Sequence, residues 1–460
     1  MSNPYSRRET LKALGLVAGA SVFKIPDLSQ LLGETPNPLH VKLSKPITAI
    51  TLGAGARGNV YGNYAIENPE EIKIVGVAEP IPIRNDRYTK KHSIKEDHRF
   101  VTWEHVFLKP KFADAIIITT PDHLHYGPCM KALEMGYDIL LEKPMAQTEK
   151  ECRDILAKSK KTGRIVGLCH VLRYAPYFVK LRALIHNGSI GELLSIQHFE
   201  PIQHVHMAHS FVRGNWHNSK ETTPIILAKS CHDLDILRWL VNKPSVRVAA
   251  FGNLKWFTKK NAPEGSTGRC HEGCAIESTC PYSALKIYLR EHSYTYVFDL
   301  PEKKELVPDA IMNYLKTTNY GKCVYRMDND QCDHYVMSLL FEEGITASFN
   351  MEAFTSYHGR RTRVMGSMGD LYGDMEKFVH SDFRTGKVTN WDSQSFEEGV
   401  YKNQGHGGGD YRLMRDWVQA VGQQNAQLLT STIDASIESH ILGFAAERSR
   451  KTKKIIDIKL

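Results

Sequence analysis

The chain has no long apolar run, no block of basic residues and little cysteine. Its N-terminal apolar stretch, Ala13 to Phe23, is short and rich in glycine and alanine. A membrane-spanning helix needs about 20 predominantly apolar residues, so a multi-span membrane protein is excluded. Lys and Arg number 59 against 51 Asp and Glu, a formal charge of +8. They are spread along the sequence, so nothing marks a nucleic-acid surface, and an anionic cofactor or substrate accounts for the excess more simply. Nine cysteines in 460 residues are too few for a disulfide scaffold, although three cluster at Cys270, Cys274 and Cys280. What is present is an ordinary globular balance, 42% hydrophobic and 24% charged. It excludes a disordered or collagen-like chain and, at this length, supplies two or three domains.

Ser6-Arg7-Arg8-Glu9-Thr10-Leu11-Lys12 ahead of the 13–23 stretch resembles a twin-arginine (Tat) export signal, with Ala18-Gly19-Ala20 as a cleavage site. Residues 1–33 read as this signal and 34–45, with Pro36 and Pro38, as a linker. Export to the periplasm is expected, with no transmembrane span in the mature form; an ordinary amphipathic N-terminal helix would leave the protein cytoplasmic. The Tat route carries folded proteins with their cofactor already bound.

From Pro46 to residue 170 the pattern is that of an α/β Rossmann domain with a doubly wound parallel sheet. An apolar strand at 47–52 runs into Gly53-Ala54-Gly55-Ala56-Arg57-Gly58, then a helix, then a second strand ending at Glu79. This is G-x-G-x-x-G in its required context. Gly53 permits the turn, Gly55 lets the backbone approach a pyrophosphate, and Gly58 allows close packing of helix and strand. Glu79, about 20 residues on, is placed to accept hydrogen bonds from ribose hydroxyls, which favours NAD over NADP; nearby Arg84 and Arg87 weigh the other way. Further strands at 114–119, 137–141 and 164–169 alternate with helices, one opened by a Thr148–Glu151 capping box.

Two segments follow strands on the cofactor face, Thr119-Thr120-Pro121-Asp122-His123-Leu124-His125 and Glu142-Lys143-Pro144. With G-A-G-A-R-G, H-V-L-R-Y at 170–174 and H-D-L-D at 232–235, they make the chain resemble the glucose–fructose oxidoreductase/inositol dehydrogenase (Gfo/Idh/MocA) family over essentially its whole length after the linker. The resemblance implies NAD, tightly held, contacted by Gly53, Gly55, Ala56, Arg57, Gly58, Glu79, Thr120, Pro121, His125, Glu142 and Lys143. It places Lys143 beside the nicotinamide, on the hydroxyl to be oxidised, and makes His232 the proton-transfer residue, with Asp235 supporting it. The chemistry agrees: taking hydride from a carbinol needs a base for the proton and a donor for the developing oxyanion. A homo-oligomer, dimer or tetramer, is implied as well.

Residues 171–460 change character. Alternating segments at 193–205, 246–257, 335–341, 345–351 and 361–365 suggest a large, mostly antiparallel sheet in an α+β domain for substrate binding and oligomerisation, with late amphipathic helices at 411–421 and 433–451. Arg173, Tyr174, Trp216, Lys229, Asp235 and His406 are the candidate substrate contacts. Many relatives carry Asp four residues before the histidine; this chain has Ala228 there and Lys229 next to it, so either Lys229 contacts substrate or the network is rebuilt. His198, His204, His206 and His209 surround an alternating strand on which 204 and 206 face one way. Without an acid in the run, a sugar cleft explains them better than a metal, and no metal site is assigned. Gly405-His406-Gly407-Gly408-Gly409-Asp410 precedes a helix and offers His406 or Asp410 to the substrate. Within an insertion at about 258–325, Cys270, Cys274 and Cys280, with Cys323, fit structural zinc, a disulfide pair or an iron–sulfur site.

The sequence therefore predicts an NAD-dependent oxidoreductase acting on a carbinol of a sugar, glycoside or polyol. The alternatives are an NAD-dependent glycosidase working by oxidation, elimination and reduction, and a non-catalytic sugar-binding protein.

Overall fold

The computed structural model describes residues 40–393 and 405–459. The export segment and the first half of the linker lie outside the described residues. Short runs of Ile, Leu, Val and Ala build the first sheet: β1 (Ile47–Leu52), β2 (Ile72–Ala78), β3 (Arg99–Phe100), β4 (Ala115–Ile118), β5 (Asp138–Leu141) and β6 (Val166–Leu168). The order is β3-β2-β1-β4-β5-β6, parallel throughout. Ile116, Ile117, Ile118, Leu140 and Leu141 are fully buried, as strands covered on both faces require. Helices α1 (Ala56–Glu67), α2 (Pro82–His92), α3 (Tyr126–Glu134) and α4 (Glu149–Thr162) cover the sheet. The capping box forms as read, with Thr148 and Glu151 bonding reciprocally. The strand order reverses between β1 and β4, opening a crevice at the carboxyl ends of the strands.

Beyond α5 (Pro176–His186), the second sheet begins with β7 (Leu193–Pro201), and α6 (Cys231–Val241) packs behind it. Then come β8 (Ser245–Asn253), α7 (Val307–Thr317), β9 (His334–Phe341), β10 (Thr346–Glu352), β11 (Arg361–Gly366), β12 (Gly369–Gly373), β13 (Lys377–Asp382) and β14 (Val388–Asp392). The chain ends with α8 (Gly409–Gly422), α9 (Ile433–Thr452) and β15 (Ile456–Asp457). Nine strands lie in the order β14-β13-β12-β11-β7-β10-β9-β8-β15, antiparallel except where β10 meets β7.

Three expectations need correction here. The strand expected to reach Val205 ends at Pro201. Gln203 has φ +79, and residues 204–213 coil into a helical turn and a π-helix, so His204 and His206 do not share a strand face. Strands β12 to β14 have no counterpart in the sequence reading: β12 alternates, but two of its three buried positions are glycines, while β13 buries one residue and β14 none. The late helices pack against both halves. Trp417 on α8 is buried beneath the first sheet and donates its indole N–H to the Ile139 carbonyl at 3.0 Å. On α9, Ile433, Ile437 and Ile441 join the first core while Leu442, Ala445 and Ala446 join the second. A helix squeezed between two cores is buried on most sides, so α9 is not the amphipathic helix expected.

Residues 254–333, between β8 and β9, carry a small core of their own around Ile287, Tyr288, Phe298, Ile311 and Leu315. Among the described residues no helix is long and apolar enough to cross a membrane.

Burial pushes His209 and His440 down to about 3, and His92 and His186 down to about 4. The unfolded chain, with histidines near 6.5, therefore binds more protons than the folded one below that pH. This contribution to stability is complete above about pH 6.5 and is lost as pH falls towards the folded values. The melting temperature should decline between pH 6.5 and 5, before the buried carboxylates titrate. A flat profile over that range would contradict this account.

Candidate active site

The three glycines after β1 meet three different steric demands. Gly53 has φ +92, and a Cβ there would lie 2.7 Å from the Thr119 carbonyl oxygen. A Cβ on Gly58 would lie 2.1 Å from the Gly53 oxygen. In front of Gly55 the nearest atom is Arg84 Nη1 at 3.8 Å, so that face is open to a ligand. No side chain caps α1, which starts at Ala56, and its first N–H groups point at this space. The cradle fits a dinucleotide pyrophosphate. Gly58→Ala should weaken NADH binding about 10- to 100-fold, the equivalent of about 1–3 kcal/mol of overpacking, in a fluorescence titration of protein whose circular dichroism is unchanged. Unaltered affinity would remove the packing argument.

Glu79 is buried at the end of β2 and accepts hydrogen bonds from the N–H groups of Ala54 (2.7 Å) and Ile81 (3.0 Å). It braces the glycine turn from the position where a ribose-binding carboxylate is expected. The two arginines that weighed towards NADP are engaged elsewhere. Arg84 Nε donates to Asp299 (2.7 Å) and Arg87 to the Leu300 carbonyl (2.8 Å), tying the 254–333 segment to α2.

At the neighbouring strand tips, Thr120 donates to the Leu124 carbonyl at 2.9 Å, with Pro121 exposed beside it. His125 is buried, its ring nitrogens 2.7 Å from the Pro144 oxygen and 2.9 Å from that of Thr120. It braces two loops and does not face the cofactor crevice as the sequence suggested. Arg57 and Glu142 need the same correction. Arg57 Nε donates to Glu142 Oε1 at 2.6 Å, and its Nη2 to Asp410 Oδ1 at 2.6 Å. Glu142 also accepts from Tyr61 (2.7 Å) and from the Lys143 N–H (2.9 Å). The buried Glu142 and Asp410 carboxylates have to be paired, so Arg57 and Glu142 position the strand tips.

Lys143 emerges from this braced tip half-buried, and its Nζ donates to the Ala228 carbonyl at 2.9 Å. Four residues on, at the start of α6, His232 is 5% exposed and its Nδ1 has no partner. Burial, then the charges of Lys143, His406, Arg360 and His170, hold its pKa well below the ordinary histidine value. Beside it His406, with φ +56, sets its Nδ1 3.0 Å from Asp410 Oδ2 and its ring 5.7 Å from that of His232. An amine, a neutral imidazole with an unsatisfied nitrogen and a histidine–carboxylate pair thus converge at the tip of β5. The question posed by Ala228 is answered by a rebuilt network: its carbonyl receives Lys143, and Lys229 turns to Glu200 at 3.3 Å.

Three other candidates turn away from this group and do not take the substrate-facing places expected of them. Arg173 donates from Nε (2.7 Å) and Nη2 (2.6 Å) to Asp235, and also to the carbonyls of Thr430 and Ala435. Both side chains are almost fully buried. Asp235 does not support His232 directly; it lies 2.7 Å from His170 Nδ1, and His170 stacks on His440 at 5.4 Å. Burial alone would raise the Asp235 carboxyl, but Arg173 and then His170 hold it at about 2. Tyr174 is buried against Ser431. The reason is that H-V-L-R-Y forms a turn under the C-terminal helices, which buries Arg173 and Tyr174 and draws Asp235 on α6 towards Arg173 and His170. Trp216 is half-buried and donates to Asp122 at 3.1 Å. His198 is buried between Thr362 and Asp233. Among the described residues no three His, Cys, Asp or Glu side chains converge on a point as a single metal ion requires.

The structure adds residues that the sequence reading missed. Arg360 joins Glu200 (3.0 Å) and Asp233 (2.5 Å) behind Lys229. Tyr294, Tyr296 and Tyr320, from the 254–333 segment, surround His209, with Tyr294 stacked on it at 4.5 Å and also on His206 at 5.7 Å. These rings form an aromatic wall. The Tyr294-Thr295-Tyr296 triplet was its only trace in the sequence.

Residues 47–170 match the model of an oxidoreductase family with an NAD-binding Rossmann fold, and residues 182–460 match that family's C-terminal alpha/beta domain. A Bacillus subtilis protein described as an oxidoreductase, YteT, is 24% identical over 358 residues, 75% of this chain and 81% of that protein. The scyllo-inositol 2-dehydrogenase (NAD+) of the same organism is 26% identical over 211 residues, 45% of this chain and 58% of that protein. Among solved structures, a levoglucosan dehydrogenase complexed with NADH and levoglucosan superposes with TM-score 0.65 at 15% identity, covering 90% of this chain and all of that one (100%). An inositol dehydrogenase homolog from Azotobacter vinelandii, complexed with NADH and myo-inositol, gives 0.64 at 14% identity, covering 91% and 99%. Matched through both of its domains, the chain belongs to the Gfo/Idh/MocA family of NAD-binding oxidoreductases.

Proposed function

We propose that the protein oxidises a carbinol of a sugar or polyol, or reduces the corresponding ketone, with NAD held across the tips of β1, β4 and β5. The observation that carries this reading is the meeting of the Lys143 amine, at the tip of β5, with the buried His232 imidazole, whose Nδ1 has no hydrogen-bond partner. Bound NAD supplies the hydride acceptor; the protein handles the proton and the charge. Lys143 stands at the strand tip, where its ammonium can hold an oxygen whose negative charge grows as the C–H bond breaks. His232, kept neutral by burial and the surrounding cations, takes the hydroxyl proton at Nδ1 and returns it in reduction. His406 with Asp410 offers hydrogen-bonding partners to further hydroxyls, and the Tyr294 wall offers an apolar ring face. That combination suits a polyhydroxylated ring better than a simple acid or alcohol. The levoglucosan and inositol complexes of structural neighbours support the same substrate class.

We also propose that NAD stays bound through purification, because Asp299 and Leu300 clasp α2 beside the glycine turn. The test is to extract the purified protein for NAD and assay it against polyols, monosaccharides and glycosides by NADH absorbance. Accumulation of NADH with a polyol or sugar supports the reading. Cleavage of a glycoside with no net NADH would replace it with the glycosidase chemistry.

A further inference from the structure

His232 is placed to take a proton and poorly placed to lose one. It is 5% exposed, and its Nδ1 is buried without a partner. Each oxidation turns a carbinol and NAD into a ketone, NADH and one proton. That proton starts on His232 and has to reach water before the next turnover.

Two other imidazoles stand beside it, and they lead in opposite directions. The His170 ring is 6.2 Å away, but His170 is 1% exposed and closes inward on Asp235 and His440. The His406 ring is 5.7 Å away, and 36% of that side chain is in water. Of the two, only His406 connects His232 to solvent.

The chain holds His406 there against its local preference. Its φ of +56 is left-handed, a region that histidine enters far less readily than glycine. The loop is pinned at the start of α8, where a Cβ on Gly409 would lie 2.2 Å from the Val171 carbonyl oxygen. Such a fixed, strained position points to a function for the side chain it presents.

Asp410 settles which nitrogen of His406 is available. Burial alone would raise the Asp410 carboxyl, but Arg57 and then His406 hold it well below the usual carboxylate value. It is therefore an acceptor only, receiving Arg57 Nη2 at 2.6 Å and His406 Nδ1 at 3.0 Å. Nδ1 thus carries the hydrogen, and in the neutral ring the lone pair is on Nε2. Burial, then Lys143 and the other neighbouring cations, make His232 a weak base, so its proton passes readily to a more basic group within reach.

We propose that His406, oriented by Asp410, carries the proton between His232 and solvent. The proposal rests on the role given to His232 above. The N–H bond of the His232 imidazolium breaks as an Nε2–H bond forms on His406, across a gap that one bridging hydroxyl or water spans. His406 then gives this proton to water, while its Nδ1 hydrogen stays on the Asp410 carboxylate. Reduction runs the same steps backwards. His406 acts through His232 and is not the base on the reacting carbinol.

The test mixes protein carrying NAD with polyols and monosaccharides at saturating concentration. NADH absorbance and a pH-indicator dye are followed in the same single turnover. Wild-type protein should release its proton in step with NADH. His406→Asn suits the comparison, because asparagine tolerates the left-handed backbone and its amide cannot carry a proton. In this variant the dye should lag NADH about 10²-fold, the low end of a general acid–base contribution. Added imidazole should close the gap. Proton release in step with NADH in the variant would overturn the proposal, as would a loss that imidazole leaves unrepaired. Wild-type protein that carries NAD yet forms no NADH with any of these compounds would overturn the oxidoreductase reading itself, and the proposal with it.

Discussion

Lys143→Met should lower kcat for hydride transfer by about 10²- to 10³-fold, the cost of removing one donor to the developing oxyanion. NADH affinity should change little, because the strand tip is held by Glu142, Arg57 and His125 and not by the lysine side chain. His232→Asn should cost about 10²- to 10⁴-fold in kcat. The pH dependence separates the two roles. His232 acts as a proton acceptor only when neutral, and its folded pKa lies well below 6.5. Oxidation should therefore persist as pH falls through the usual histidine range and fail only below it. A limb near pH 6.5 that vanishes in His232→Asn would show an exposed, ordinary histidine and contradict the buried geometry. An activity loss confined to KM in Lys143→Met would make the lysine a binding residue only.

Arg173→Met should destabilise the fold by about 3–5 kcal/mol, since it leaves the buried Asp235 carboxylate without its permanent cation, with only His170 beside it. Urea denaturation measures this directly. The double variant Arg173→Met/Asp235→Leu should recover much of the loss, because exchanging a whole buried pair for apolar groups is often neutral. The correction made above rests on this: the pair is an internal strut joining the 170–174 turn to α6 and the C-terminal helices. If Arg173 were a substrate contact, the single variant would keep its stability and raise KM. Acid should act on the same strut. The Asp235 carboxylate, held at about 2, stabilises the fold above the unfolded value near 3.9 and loses that contribution as pH falls towards 2.

The first sheet was legible because its physics is local. Runs such as Ala115–Ile118 have to be buried on both faces, and three glycines at fixed spacing answer demands of one turn. Lys143 and His232 were legible because each follows an element end that a short motif marks. What escaped the sequence was partnership over distance. Arg57 meets Asp410 across 353 residues, and Arg173 meets Asp235 across 62. Charged residues in a motif look like ligand contacts until the groups that neutralise them are known. The aromatic wall was hidden for a related reason: Tyr294 and Tyr296 lie in a long connection between adjacent strands, where no periodicity indicates which face they take. The end of β7 was misread because alternation at His204 and His206 continues past Pro201, while the backbone does not.

The central claim is that a carbinol carbon sits between Lys143, His232 and the nicotinamide of bound NAD. It is tested most directly by incubating the purified protein with polyols and monosaccharides deuterated at carbon and locating the label by NMR. The account predicts deuterium on a single face of the nicotinamide C4, and none in Lys143→Met on the same timescale. Protein that carries NAD yet leaves every label on the sugar, or loses it to water, would contradict it.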